Sequence, residues 1–221
     1  EIRADEREAS DPIPERYSHL YMSIAGRLAA VICISDPLRE EARDCIGQLR
    51  SLGISSCVML TGDSRRTAGA IAAEVGVDDF RAEVLPEDKA AYVQELRARG
   101  HTVIMVGDGI NDSPALSAAD AGVAISSGAA IAREIADITV SEGDLAELVT
   151  LRQVAMRLMA RIKANYRFVI GFNGGLIALG LMGVLQPAAG ATLHNLSTLG
   201  VSLHSMTRLL PEKKEAHRDE A

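Results

Sequence analysis

Short apolar runs that end at polar turns alternate, along the first two-thirds of the chain, with segments of helical periodicity. LAAVICIS (28–35) and SCVMLTGD (56–63) contain β-branched residues and close on turn residues, as strands buried on both faces do. HTVIMVGD (101–108) is a third such run, and DAGVAI (120–125) and DITVS (137–141) are shorter ones. DPLREEARDCIGQLRSLG (36–53) predicts a helix with Asp36 as N-cap, Pro37 at its first position and Gly53 at its end. SRRTAGAIAAEVG (64–76) and PEDKAAYVQELRARG (86–100) repeat the helical pattern, each closed by glycine. Strands alternating with helices of about a dozen residues predict a parallel sheet with helices on both faces. The expectation is a Rossmann-like α/β domain over residues 20–142.

The pattern then changes. GDLAELVTLRQVAMRLMARIKANYR (143–167) predicts a long amphipathic connecting helix, with apolar positions at Leu145, Leu148, Val149, Leu151, Met156 and Met159. FVIGFNGGLIALGLMGVLQ (168–186) has no charge over 19 residues, a length that spans a hydrocarbon core as a helix. After Pro187, residues 188–206 are again uncharged apart from histidine. Arg161, Lys163 and Arg167 precede the pair, and Arg208, Lys213 and Lys214 follow it. Basic flanks on both outer sides predict a transmembrane hairpin over 168–206, both ends cytoplasmic, with a cytoplasmic tail over 207–221. The competing reading is two buried helices of a larger soluble core, which the polar content of the second segment favours. Residues 1–19, charged and with two prolines, read as a linker or the end of a preceding domain.

Composition narrows this further. A formal charge of -7 excludes nucleic acid as a main partner, because phosphate backbones require a surplus of Lys and Arg. Cys33, Cys45 and Cys57 have neither disulfide-framework nor zinc-site spacing and read as small apolar residues.

The candidate chemistry sits at strand ends. In a parallel α/β sheet ligands bind where the carboxyl-end loops gather, and Asp63 and Asp108 each follow an apolar run. Carboxylates converging there require a cation, and a hard one such as Mg2+ brings phosphate with it. Gly107 and Gly109 would allow close approach, Asn111 offers an amide donor, and Lys89 in LPEDK supplies a compact positive charge. These features predict a phosphoryl-transfer site.

VGDGINDSPALSAADAGVAI (106–125) resembles the hinge sequence of P-type ATPases over its whole length. DPLR (36–39), LTGD (60–63) and PEDK (86–89) extend the resemblance in the family's order, and the final helix pair points to its heavy-metal-transporting branch. The resemblance implies a haloacid-dehalogenase-type core, ATP as substrate and Mg2+ as cofactor. It implies that Asp108 is the Mg2+ ligand, Asn111 a phosphoryl contact, and Asp112 an organiser of the site with possible access to the metal. Lys89 is implied to neutralise the phosphate, and Thr61 to hydrogen-bond a phosphoryl oxygen from a loop shaped by Gly62 and Asp63. Asp36 and Arg39 match the stretch after the nucleotide domain, with a structural role as open as a direct one.

The chain departs from the family at one decisive point. The nucleophile is an aspartate in Asp-Lys-Thr-Gly-Thr, and that sequence is absent here. The expectation is therefore the C-terminal part of an ATP-driven transition-metal pump, inactive without its N-terminal half. The alternatives are a soluble haloacid-dehalogenase-type phosphatase and a non-catalytic fragment. The implied setting is a bacterial-type plasma membrane, with the lipid bilayer as partner and the α/β domain in the cytoplasm. HNLST (194–198) resembles the His-Glu-Gly-Ser-Thr element of a cobalt-associated branch, with Asn195 and Leu196 replacing its acidic residue and glycine. His194, Ser197 and Thr198 are thus candidate contacts for the transported ion. Such donors suit Zn2+, Co2+, Ni2+ or Fe2+ better than Cu+. Interhelical hydrogen bonding is the alternative role for the same residues.

Overall fold

The computed structural model describes residues 18–25, 27–34, 38–108, 111–125, 134–140 and 145–210. Its contacts define two compact units that divide between Val149 and Thr150.

The first unit opens with an antiparallel hairpin, β1 (Ser18–Ile24) and β2 (Arg27–Ile34). The α/β portion follows in the order α1 (Ala42–Ser51), β3 (Val58–Leu60), α2 (Arg65–Val75), β4 (Asp79–Arg81), α3 (Pro86–Ala98) and β5 (Ile104–Gly107). It continues through α4 (Ser113–Ala118), β6 (Ala121–Ile125) and β7 (Ile138–Val140). From β3 onward, strand–helix alternation and parallel pairing are as the apolar runs predict. LAAVICIS, however, is not a buried strand of a parallel sheet: its ladder partner is β1, so β2 runs antiparallel in a hairpin of its own and is largely exposed. The pairing itself is more divided than expected: β3 pairs with β4, and β5, β6 and β7 form a separate three-stranded sheet. β3 and β5 are not ladder neighbours, so side chains join the two parts. Leu60 of β3 packs on the cluster of Val93, Met105, Ala115 and Leu116.

Local chemistry explains most boundaries. Gly53, Gly76 and Gly100 close α1, α2 and α3 at φ of 86°, 78° and 87°, a conformation that costs glycine nothing. Ser64 caps α2 by accepting the Thr67 N–H at 3.3 Å. Pro86 opens α3, where its missing N–H is harmless, and the Asp88 carboxylate accepts the Leu85 N–H at 3.3 Å. α1 starts at Ala42, later than Pro37, after a turn in which the Ala42 N–H reaches the Arg39 carbonyl at 3.0 Å. Asp36 and Pro37, the expected cap and first residue, lie outside the described residues, as does Gly109. β1 and β4 have no counterpart in the sequence reading. β4 is DFR, whose single apolar residue gives no alternation to detect, and it is extended because it pairs with β3.

The second unit is a helix pair: most of α5 (Ala146–Leu181), whose first turn lies in the first unit, and α6 (Pro187–Ser205). The expected connecting helix and first apolar segment are one continuous helix of 36 residues. Nothing between Arg167 and Phe168 breaks the hydrogen-bond ladder. The uncharged run does not stay helical to Gln186: α5 ends at Leu181, and Gly183 turns the chain at φ 74°. The helical part of the run, 168–181, is therefore only about 21 Å long, short of a hydrocarbon core of about 30 Å. Among the described residues no helix is long and apolar enough to cross a membrane, which corrects the expectation of a transmembrane hairpin over 168–206. Polar groups of α5 grip the end of α6. Arg157 donates to the Leu209 carbonyl at 3.0 Å, Arg161 to the Ser205 carbonyl at 3.3 Å, and Asn165 to Ser205 Oγ at 2.8 Å. Arg161 thereby satisfies one of the carbonyls that the C-terminus of α6 leaves open, and its charge opposes the negative end of the helix dipole.

Candidate functional site

The loop after β3 folds on itself. The Thr61 hydroxyl donates to Asp63 Oδ2 at 2.8 Å and accepts the Asp63 N–H at 3.1 Å. The Glu83 N–H reaches the Asp63 carbonyl at 2.9 Å, and the Thr61 N–H reaches the Arg81 carbonyl at 3.0 Å, which holds the loop against the segment after β4. At Gly62 a Cβ would lie 3.9 Å from the Val84 carbonyl, so space does not demand glycine there.

The second cluster lies at the end of β5. Lys89, one turn into α3, places Nζ 2.6 Å from Asp112 Oδ1, with the two side chains 15% and 13% exposed. Asp112 is the N-cap residue of α4 but makes no side-chain cap; its carboxylate faces the lysine instead. Gly107 makes this possible, because a Cβ there would meet Asp112 Oδ2 at 2.5 Å and its Cβ at 2.7 Å. The sequence reading gave that glycine to close approach of a ligand; what approaches it is the Asp112 side chain. Asp108 follows directly and is exposed, as is Asn111. The structure thus joins Thr61 to Asp63 and Lys89 to Asp112, with Asp108 and Asn111 on the strand-end loop beside the second pair.

These residues suit a hard cation and a phosphoryl group. Asp108 is an exposed residue whose carboxylate is of the kind that holds Mg2+ when water and phosphate complete its shell. Lys89 and the Asn111 amide offer donors for phosphate oxygens.

In the helix pair, His194 Nδ1 lies 2.9 Å from Asn173 Oδ1. The Ser197 and Thr198 hydroxyls donate to the His194 carbonyl at 2.7 and 3.0 Å, inside their own helix. Their donor protons are therefore engaged locally. Among the described residues, no group of three His, Cys, Asp or Glu side chains could hold a metal ion. His194 and Asn173 border an open groove of about 610 Å³, whose other walls include Leu176, Ile177, Leu185 and Gln186. Asn173, the partner of His194, is not among the candidates that the sequence offers. A polar residue inside an uncharged run was the available signal.

A parallel α/β core whose strand-end loops carry an Asp-rich turn and a Thr–Asp loop, with a lysine of α3 paired to the first, is of a kind that suits phosphoryl handling. Residues 3–120 match the family model described as haloacid dehalogenase-like hydrolase, and the chain belongs to that family. It is also similar to metal pumps. Over 187 residues it is 41% identical to a manganese-exporting P-type ATPase of Mycobacterium leprae, covering 84% of this chain and 26% of that one. Over 165 residues it is 47% identical to a probable copper-transporting ATPase of Arabidopsis thaliana, covering 74% and 16%. A crystal structure of a zinc-transporting PIB-type ATPase in an E2·Pi state superposes with a TM-score of 0.75 at 33% identity, covering 89% of this chain and 32% of that one. The chain spans about a quarter or less of the length of these curated relatives. The resemblance carried by VGDGINDSPALSAADAGVAI is thereby borne out.

Proposed function

We propose that this chain is the phosphoryl-handling portion and a helix pair of an ATP-driven transition-metal pump. The observation that carries the reading is the Lys89–Asp112 pair seated over Gly107 at the mouth of β5, beside exposed Asp108. Asp108 would hold Mg2+, which when bound supplies positive charge to phosphoryl oxygens. Lys89 would neutralise the same group, Asn111 would donate to it, and Thr61 would reach it by turning its hydroxyl away from Asp63. Asp112 holds Lys89 in place and would assist at the metal.

The carboxylate nucleophile such a transfer needs is missing from the chain's motifs. β3 and β5, whose carboxyl ends carry the two loops, belong to different sheets, yet Leu60 and Met105 share one core cluster. A parallel strand of a longer protein, paired to both, would deliver its own carboxyl-end loop between Thr61 and Asp108. That is where an Asp-Lys-Thr-Gly-Thr aspartate belongs.

The helix pair would lie in a membrane, packed against other helices rather than surrounded by lipid. Leu181, Met182, Val184, Leu196 and Leu203 are at least 59% exposed, and α6 has no buried residue. Helices too polar to span unaided are stable in a bilayer when neighbours cover their polar groups. The cargo would be a divalent transition metal meeting His194 in the groove. With Asn173 Oδ1 accepting from Nδ1, the Nε2 lone pair is left for such an ion.

The test is phosphoenzyme formation from radiolabelled ATP by the longer protein. Metal-stimulated, hydroxylamine-sensitive label that Asp108→Ala abolishes supports the reading. Undiminished label in Asp108→Ala, or phosphatase turnover by the 221-residue chain on its own, overturns it.

A further inference from the structure

α3 and α4 are fastened to each other at both ends. Lys89 and Arg97 stand eight positions apart on α3, and their partners Asp112 and Asp120 flank the two ends of α4. At the first end Lys89 meets Asp112 at 2.6 Å. At the second, Arg97 Nε donates to Asp120 Oδ1 at 3.0 Å, and its Nη1 to the Ala118 carbonyl at 2.7 Å. The other Asp120 oxygen accepts the Val103 N–H at 2.9 Å, and the Asp120 N–H returns to the Val103 carbonyl at 3.0 Å. Arg97 thus ties α3 to the last turn of α4 and, through Asp120, to the segment leading into β5.

This matters because α4 cannot place itself. It has six residues, fewer than a helix needs to persist in isolation, and its N-cap side chain makes no cap. Its buried Ala115 and Leu116 set its depth on the core, but apolar contacts resist sliding along the axis poorly. Directional, charge-assisted hydrogen bonds do resist it. We infer that Arg97 and Asp120 are positioning residues for the phosphoryl site, fixing the axial register of α3 against α4 and thereby the meeting of Lys89 with Asp112. The Arg97–Asp120 pair is 45% and 32% exposed, so its contribution to global stability is small and its effect is on geometry. The inference rests on the proposed phosphoryl role of Lys89, but the register effect itself does not.

The chain has four lysines, so 15N-lysine labelling resolves the Lys89 ammonium group, assigned by its loss in Lys89→Met. A half-buried, paired ammonium exchanges slowly and is shifted from that of exposed Lys163. Arg97→Met, which keeps the stem and removes the charge, should move the Lys89 line toward the Lys163 position, and Asp120→Asn should do the same. Arg97→Lys should restore part of the shift. Far-UV circular dichroism checks that each variant is folded. Where one is not, Arg97→Gln, which keeps a neutral donor on a similar stem, replaces it and should move the line in the same direction. A Lys89 line unmoved in folded Arg97→Met and Asp120→Asn overturns the inference. Titration with inorganic phosphate and Mg2+ separates the two readings. A Lys89 response about tenfold weaker in Arg97→Met supports both, since small misplacements of a binding group cost this much. A line that depends on Arg97 but ignores phosphate in the unsubstituted chain supports the register effect and counts against the proposed function.

Discussion

The Asp112 side chain occupies the space that a side chain on Gly107 would need. A Cβ built at Gly107 lies 2.5 Å from Asp112 Oδ2 and 2.9 Å from its Cγ. The glycine at the end of β5 is thus a requirement of the residue five positions later, and through it of Lys89.

Gly107→Ala should destabilise the chain by about 1–3 kcal/mol, the range for overpacking, measured by urea denaturation. Because the clash is with the Asp112 side chain, its Cβ included at 2.7 Å, adding Asp112→Gly should recover part of that loss. Strict additivity of the two substitutions would refute the steric account.

Lys89→Met should cost about 2–4 kcal/mol, because it leaves a largely buried carboxylate without its partner. Pairing it with Asp112→Leu should cost less than Lys89→Met does. Lys89→Arg should not rescue fully, since a planar guanidinium needs a wider seat than an ammonium at 2.6 Å. Equal stability of Lys89→Met and the unsubstituted chain would show that the pair is immaterial to the fold.

Away from the site, Asp78 accepts the Cys57 N–H at 2.7 Å and pairs with Arg50 at 2.9 Å. The Cys57 hydrogen bond first, and the Arg50 guanidinium second, hold the Asp78 carboxyl below its usual range. A lowered carboxyl adds stability that is complete above its unfolded value, about 3.9, and lost as pH falls through the folded one. Asp78→Asn should lower the melting temperature modestly at pH 7 and leave it unchanged at pH 2. A difference that persists at pH 2 would assign the effect to something other than this charge.

Burial pushes the Cys57 thiol above its ordinary value, with Asp78 adding to the effect and Arg50 opposing it. Cys33 is exposed and Cys45 is buried. Iodoacetamide at pH 7.5 should label Cys33 well before Cys57, since the thiolate is the reactive form. Peptide mass spectrometry reads the order, and faster labelling of Cys57 would contradict its placement.

Periodicity was enough for α2 and α3, where a cap or proline starts the helix and a left-handed glycine ends it within about a dozen residues. Those are local events, decided by the backbone freedom of Gly76 and Gly100 and the side chain of Ser64. The strand-end positions of Asp63 and Asp108 were equally legible, because apolar runs that stop at Asp/Gly turns mark carboxyl ends of buried strands. β4 was not legible: Asp79, Phe80 and Arg81 are extended only because β3 lies beside them. The sequence likewise could not show that α5 runs unbroken past Arg167 and stops at Leu181, since charge does not end a helix and Gly183 is one of several glycines in that run. Above all, Lys89 and Asp112 are 23 positions apart, and their meeting depends on how α3 and α4 pack on Val93 and Leu116. Sequence determined which chemistry the chain carries, because motifs and turns are short-range. Only the packed core decided which of those groups touch, because contacts between distant positions follow from filling space.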